Sequence, residues 1–320
     1  MEASSRIYIA GHDGLVGSAL VRKFTQKGFT NLITCHYTEM DLRRQADVEA
    51  FFERERPEYL VLAAAKVGGI LANNTYPAEF IYDNLAIQTN IIHAAWKTGV
   101  KRLIFLGSSC IYPRECPQPM KEAHLLTGPL EPTNEPYAIA KIAGIKMCQS
   151  YNREYGTRYF ALMPTNLYGP NDNFNLETSH VLPALIRKFH TAKTEKAETV
   201  TVWGTGSPRR EFLHVDDLAD ACLHIINLDD AIFNSLISET TAPLVNIGCG
   251  HDHTIRELAE LIGKIVGFEG QLAFDATKPD GTPQKLLDVS LLNSLGWRQT
   301  ISLEQGIAST YEWCLEKRLF

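Results

Sequence analysis

The sequence predicts an α/β protein in which a doubly wound parallel sheet is accompanied by a smaller α/β lid domain. Through the first half of the chain, short apolar segments of strand length alternate with amphipathic helical segments. This order favours parallel strands joined by right-handed crossovers. The first strand, residues 6–10, leads directly into a glycine-rich turn and a helix. From Asn171 onward the alternation breaks, and a polar loop introduces the shorter elements of a second domain.

The composition is that of an ordinary globular protein. Of its 320 residues, 45% are hydrophobic and 21% are charged. The formal net charge of −6 gives no support for a nucleic-acid or anionic-membrane partner, and no apolar run approaches the roughly 20 residues of a membrane span. No signal peptide is evident, and the seven cysteines are scattered without a C-x-x-C pair. We therefore expect a reduced, cytoplasmic protein and no metal site.

A phosphate-binding turn follows the first strand. Its pattern is G-x-x-G-x-x-G, placed between the strand and the next helix. Glycine permits a tight turn and a close backbone approach, and the helix N-terminus can then meet a pyrophosphate. The sequence predicts a dinucleotide site formed by Gly11, Gly14, Leu15, Val16 and Gly17.

The second strand, residues 32–35, should end where the adenosine ribose of a dinucleotide binds. An acidic side chain at this tip bonds the ribose diol of NAD, whereas a basic one suits the 2′-phosphate of NADP. Here the glycine turn carries Asp13 and the strand tip carries Tyr37. These residues by themselves leave the choice between NAD and NADP open.

The remaining apolar segments continue the same pattern. Strands are predicted over residues 59–65, 103–106, 158–163 and 201–204, and helices over 48–56, 80–98, 137–155, 179–190, 254–266 and beyond 303. We expect a nucleotide-binding domain over residues 1–170 with a returning segment around 211–245. Residues 171–320 should mainly form an interleaved domain that binds the substrate.

A tyrosine and a lysine share one face of a predicted helix, because Tyr137 and Lys141 are four residues apart. The reference pKa of tyrosine is about 10, and a neighbouring ammonium lowers it. A pKa near 7 requires about 4 kcal/mol of differential stabilisation, which a close cation can supply. Ser108 follows the strand at 103–106, at the sheet edge where ligands bind. There it can hydrogen-bond a substrate carbonyl oxygen while Tyr137 exchanges a proton.

Ser, Tyr and Lys in this order resemble the catalytic set of the extended short-chain dehydrogenase/reductase superfamily, which has a Rossmann-type sheet. Longer runs are similar to those of the GDP-L-fucose synthases: residues 64–70, 108–113, 134–141, 163–170 and 278–283. That family epimerises C3 and C5 of GDP-4-keto-6-deoxy-D-mannose and then reduces C4 with NADPH. The resemblance implies this activity, NADPH/NADP as cofactor and a GDP-sugar as substrate.

The resemblance also implies a role for each matching residue. Cys110 would act as the base and His180 as the acid of epimerisation. In the reduction, Tyr137 would donate a proton to the C4 oxygen that Ser108 holds, while Lys141 lowers the tyrosine pKa and contacts the nicotinamide ribose. Further cofactor contacts are implied for Asp41, Leu42, Leu106, Gly107, Lys141, Pro164, Asn166, Leu167 and His180. Substrate contacts are implied for Ser108, Lys188, Trp203, Arg210 and Asp280.

Two alternatives stay open at this point. One is another nucleotide-sugar reductase, 4-epimerase or dehydratase of the same superfamily. Dehydratases carry acidic residues shortly after the catalytic serine, where this chain has Ser109 and Cys110. The other is a non-catalytic nucleotide-binding regulatory protein, which would have no need of an intact Ser–Tyr–Lys set. A homodimer is expected from the family, through the helices at 80–98 and 137–155.

Overall fold

The computed structural model describes residues 1–176, 178–238, 240–278 and 280–320. Pro279, part of one family-like run, lies outside the described residues. The strands are β1 Ile7–Ala10, β2 Leu32–Ile33, β3 Tyr59–Leu62, β4 Arg102–Leu106, β5 Tyr159–Pro164, β6 Asn166–Tyr168, β7 Thr199–Trp203, β8 Arg209–Arg210, β9 Phe212–His214, β10 Leu244–Ile247, β11 His253–Thr254, β12 Gln271–Asp275 and β13 Gln284–Lys285.

The α-helices follow the same chain order. They are α1 Leu15–Gln26, α2 Gln45–Glu55, α3 Ile70–Thr75, α4 Pro77–Lys97, α5 Glu135–Tyr155, α6 Val181–Thr194, α7 Val215–Ile226, α8 Asp230–Ser235, α9 Ile255–Val266, α10 Ser290–Ser294 and α11 Leu303–Glu316. Short 3₁₀ helices cover Ser109–Ile111 and Glu122–His124.

The central sheet has six strands in the order β10-β5-β4-β3-β1-β2, and every pair in it is parallel. This confirms the predicted doubly wound parallel sheet. The second strand is shorter than the predicted 32–35, because only Leu32 and Ile33 pair with β1. The chain then leaves the sheet edge and turns, with the Glu39 N–H donating to the His36 carbonyl at 3.0 Å.

Helices cover both faces of this sheet because its strands are apolar on both sides. Along β1, Tyr8 and Ala10 pack with α2, α4 and α5, while Ile7 and Ile9 pack with α1 and α7. Parallel strands place their carboxyl ends at one edge, so the segments that follow β1, β3, β4 and β5 all meet there. That edge carries the candidate site.

The C-terminal half contributes to the sheet and also builds a core of its own. Strand β10 pairs with β5 at the sheet edge, and α7 packs on one sheet face. A separate apolar cluster joins α6, α9 and α11, beside a three-stranded sheet of β11, β8 and β13 and the parallel pair β7–β12. Within the described residues, no helix combines the length and apolar content that a bilayer crossing requires.

Candidate active site

The glycine turn after β1 has room for backbone only. Gly11 has a φ of +84°, and a Cβ there would lie 2.7 Å from backbone atoms of Ala64 at the end of β3. A Cβ on Gly17 would overlap the Gly11 carbonyl, and the Gly14 N–H donates to that same carbonyl at 3.2 Å. The turn therefore brings the N-terminus of α1 close to the sheet edge, as a pyrophosphate cradle requires.

The end of β4 forms the floor of the site. The Leu106 carbonyl accepts a hydrogen bond from Lys141 Nζ at 2.8 Å. At Gly107 a Cβ would strike the Met163 side chain, and the Gly107 N–H donates to the Leu162 carbonyl at 2.9 Å. Gly107 leaves no space for a side chain, so β4 and β5 hold the following Ser108 in one place.

Ser108 lies beside Tyr137 and Cys110, two side chains that can exchange protons. The Ser108 hydroxyl lowers the pKa of both the Tyr137 phenol and the Cys110 thiol, so it lies beside both groups. Its Oγ also accepts the Cys110 N–H at 3.4 Å, which caps the short helix Ser109–Ile111. The structure thus brings Ser108, Cys110 and Tyr137 together at the sheet edge.

Lys141 is buried beneath this group, with 3% of its surface exposed. Its Nζ lies 5.7 Å from the centre of the Tyr137 ring and 4.9 Å from that of Phe105. Burial lowers the pKa of Lys141 to about 8. Burial raises the pKa of Tyr137, against a smaller lowering by Ser108. The expectation that Lys141 lowers the tyrosine pKa is wrong for the protein alone, because the ammonium bonds Leu106 instead of the phenol.

Opposing effects act on the pKa of the Cys110 thiol. Burial is the largest and raises this pKa, while Ser108, Lys285 and Lys141 lower it. Lys285, at the end of β13, lines a small cavity with Cys110, Glu131 and Thr282. Sequence reasoning missed this lysine. In the sequence, only its position two residues after the family-like run 278–283 marks Lys285 as a candidate.

His180 is the residue before α6, on a different element from the other catalytic candidates. Desolvation by the surrounding protein lowers its pKa, although its side chain reaches solvent. Among the described residues, no hydrogen bond joins this side chain to Cys110 or Tyr137. The loop that carries it is attached to the sheet edge, where the Gly69 N–H donates to the Thr178 carbonyl at 3.3 Å.

Four of the five predicted substrate residues, all except Ser108, lie near one another on the C-terminal half. Lys188 Nζ lies 5.5 Å from the centre of the Trp203 ring, which is 66% exposed. The Asp280 carboxylate accepts the Thr205 N–H at 2.9 Å and thereby fixes the turn after β7. Arg210 donates to the Thr282 carbonyl at 2.6 Å and is influenced by the charge of Asp280. Burial lowers the pKa of both Lys188 and Arg210.

Glu211 is a second residue that sequence reasoning missed. It is fully buried, and its carboxylate accepts N–H groups of Cys249, Gly250 and Leu287 at 2.6, 2.7 and 3.0 Å. Its carbonyl accepts the Asn166 side-chain amide at 2.8 Å. Glu211 therefore connects the segment after β5 with those after β10 and β13. Pro164 ends β5 beside this junction, and Leu167 packs against the sheet.

Comparisons with known proteins identify the family to which this site belongs. Residues 7–236 match the model of the NAD dependent epimerase/dehydratase family. GDP-L-fucose synthase 1 of Arabidopsis thaliana is 61% identical over 98% of this chain and 94% of its own. GDP-L-fucose synthase of Escherichia coli K12 is 56% identical over 99% of this chain and 98% of its own. This chain belongs to the GDP-L-fucose synthase family.

A solved structure related to this family has a similar fold. The GDP-mannoheptose C4 reductase of Campylobacter jejuni, with NADP bound, is 43% identical, with a TM-score of 0.89 over 98% of this chain and 99% of its own. The glycine turn fits the pyrophosphate part of such a dinucleotide, because Gly11 and Gly17 let the N-terminus of α1 approach the sheet edge with no side chain between them. The adenosine part would lie beyond β2.

Two residues predicted to contact adenine lie beyond β2. Asp41 is bound by the Arg43 guanidinium at 2.8 and 2.9 Å, which lowers the pKa of the carboxyl. The Leu42 carbonyl accepts the Asn90 side-chain amide at 3.0 Å, so α4 fixes this segment.

Proposed function

We infer that the chain converts GDP-4-keto-6-deoxy-D-mannose to GDP-L-fucose, by epimerisation at C3 and C5 followed by reduction at C4. The observation that carries this conclusion is the position of Ser108, which accepts the Cys110 N–H and lowers the pKa of both Tyr137 and Cys110. One ketone oxygen held by Ser108 would lie beside a proton donor for reduction and near a thiol that can remove protons from adjacent carbons. Both half-reactions can therefore use a single sugar position.

Epimerisation uses the acidity of the carbons that flank a ketone. Cys110, as the thiolate, removes a proton, and His180 returns one from the other side. A positioned acid or base contributes on the order of 10²–10⁴ in rate. The cations Lys285 and Lys141 support this role because both favour the thiolate of Cys110.

Reduction uses the Ser108–Tyr137–Lys141 group. NADPH, the cofactor of this family, supplies the hydride to C4. Tyr137 gives its proton to the C4 oxygen, and Ser108 orients that oxygen by a hydrogen bond. The raised pKa of Tyr137 keeps the phenol protonated before the reaction, which is the form that a reduction consumes. Lys141 donates to the Leu106 carbonyl and so holds its charge below the tyrosine ring.

The GDP part binds on the C-terminal half. Lys188 and Arg210 neutralise the diphosphate, and the planar guanidinium suits bidentate contact with phosphate oxygens. The exposed ring of Trp203 offers a flat apolar surface, and Asp280 holds the adjoining turn through Thr205. Desolvation at Lys188 and Arg210 supports this role, because an anionic ligand would compensate their buried charge.

A second candidate is a GDP-sugar C4 reductase that performs no epimerisation. It is favoured by the 43% identity to the GDP-mannoheptose C4 reductase. The two candidates separate in heavy water with GDP-4-keto-6-deoxy-D-mannose and NADPH. Deuterium at C3 and C5 with nicotinamide oxidation supports the first function. Oxidation without deuterium identifies a plain reductase, and no reaction with this sugar contradicts both assignments for it.

We also propose that the chain is a cytoplasmic homodimer. Helices α4 and α5 present exposed apolar side chains at Tyr82, Ile139 and Tyr155, which a second copy could cover. All seven cysteines are free, which suits a reducing compartment. Light scattering coupled to size exclusion tests the dimer: a monomeric mass contradicts it.

A further inference from the structure

We infer that the adenosine end of the cofactor cleft takes an unphosphorylated ribose, so that NADH binds at least as tightly as NADPH, with Asp13 setting this preference. The adenosine end comprises residues 12–13 of the glycine turn and 36–38 beyond β2. The inference rests on the proposed nicotinamide-dependent reduction. It concerns the part of the dinucleotide that differs between the two cofactors, far from the reacting carbon.

The Asp13 carboxylate is held between two imidazoles. His12 Nε2 lies 2.8 Å from one carboxylate oxygen and His36 Nε2 lies 3.4 Å from the other. Half of the Asp13 side-chain surface is exposed, at 50%. A half-exposed carboxylate thus lies in the turn between β1 and α1, beside the tip of β2, where the adenosine ribose binds in this fold.

The two imidazoles are held by the surrounding turn. His36 Nδ1 lies 2.7 Å from Thr38 Oγ1 and 3.3 Å from the Thr38 backbone nitrogen. His12 Nδ1 is buried and has no hydrogen-bond partner among the described residues. The cluster of His12, Asp13 and His36 thus contains one carboxylate and neither a lysine nor an arginine.

Among the described residues, the two arginines that follow β2 already lie beside carboxylates. The sequence from 28 to 42 contains no lysine or arginine. Arg43, the next one, is bound to Asp41 at 2.8 Å and to Asp83 at 3.0 Å, and Arg44 lies 3.4 Å from Asp47. A phosphate would meet the Asp13 carboxylate without a compensating cation. A ribose diol can instead donate hydrogen bonds to that carboxylate.

The test measures binding of each reduced dinucleotide to the full chain without sugar, by nicotinamide fluorescence. We expect a Kd for NADH no larger than that for NADPH. Raising the ionic strength should tighten NADPH, because salt screens its repulsion from Asp13. Asp13→Arg should shift the NADPH/NADH affinity ratio by about tenfold or more towards NADPH, and Asp13→Asn should give an intermediate shift. Glu269→Arg, an equal charge change at an exposed loop, should leave the ratio unchanged.

Two results overturn the inference and are distinguishable from a failure of the proposed function. Tighter NADPH than NADH binding in the unmodified chain contradicts the preference while leaving the reduction intact. An unchanged ratio in Asp13→Arg, with a native melting temperature, removes Asp13 as the determinant. Absence of binding by both dinucleotides contradicts the proposed reduction as well.

Discussion

The ammonium group of Lys285 acts on the Cys110 thiol and favours its ionised form, although the two residues belong to different halves of the chain. The short cavity between them also contains Glu131 and Thr282. Burial raises the pKa of the thiol, and Ser108, Lys285 and Lys141 each lower it, so loss of the Lys285 cation should leave less thiolate at neutral pH. The first two predictions follow from this pair.

Replacing Lys285 with Met should slow epimerisation more than reduction. Without the cation the pKa of Cys110 rises, so deuterium incorporation at C3 and C5 should fall about tenfold at pH 7 and recover towards higher pH. Lys285→Arg retains the charge and should behave nearly normally. A loss that does not vary with pH would assign Lys285 to substrate binding alone.

Replacing Cys110 with Ser should block epimerisation while direct C4 reduction stays detectable. A hydroxyl of similar size can keep the contact with Ser108, but it is too weak an acid to serve as the base. We expect a loss of 10²-fold or more in deuterium incorporation, measured by mass spectrometry of the product. Equal loss of nicotinamide oxidation would contradict this division of labour.

Replacing Tyr137 with Phe should remove the proton donor and leave the cleft intact. Nicotinamide oxidation should fall by about 10²–10⁴, while dinucleotide affinity changes little, because Lys141 still bonds the Leu106 carbonyl. Stopped-flow absorbance and fluorescence titration measure the two effects. Full turnover in this variant would show that Tyr137 is not the proton donor.

Replacing Glu211 with Ala should destabilise the fold without touching a reacting atom. Three buried N–H groups lose their acceptor, and each unsatisfied donor costs about 1–3 kcal/mol. We expect a loss of about 3 kcal/mol or more in the free energy of unfolding, measured with denaturant. Glu269→Ala, at an exposed position, should stay within about 0.5 kcal/mol.

Replacing Asp172 with Asn should stabilise the protein above about pH 4, and most strongly at pH 7 and higher. Burial raises the pKa of Asp172 to about 7, and its Oδ2 has no hydrogen-bond partner. The unfolded chain releases this proton near pH 4. The carboxyl therefore destabilises the fold increasingly as the pH rises from about 4 to about 7, and by a constant amount above.

The change in melting temperature separates the two pH ranges for Asp172→Asn. At pH 8 we expect a rise of several degrees, since each pKa unit corresponds to about 1.4 kcal/mol. Near pH 4 the variant and the parent should melt together. A similar gain at both pH values would mean that removal of the charge is not the cause.

The sequence by itself determined the parallel sheet, the glycine cradle and the Ser108–Tyr137–Lys141 set. These features are local: strand periodicity, glycine spacing and residues four apart on one helix keep their meaning in any compact α/β fold. The tertiary structure decided the contacts of Lys285 and Glu211, because both depend on segments far apart in the chain. It also reversed the expected pKa shift of Tyr137, since the depth of burial and the direction of Lys141 arise only when strands and helices pack.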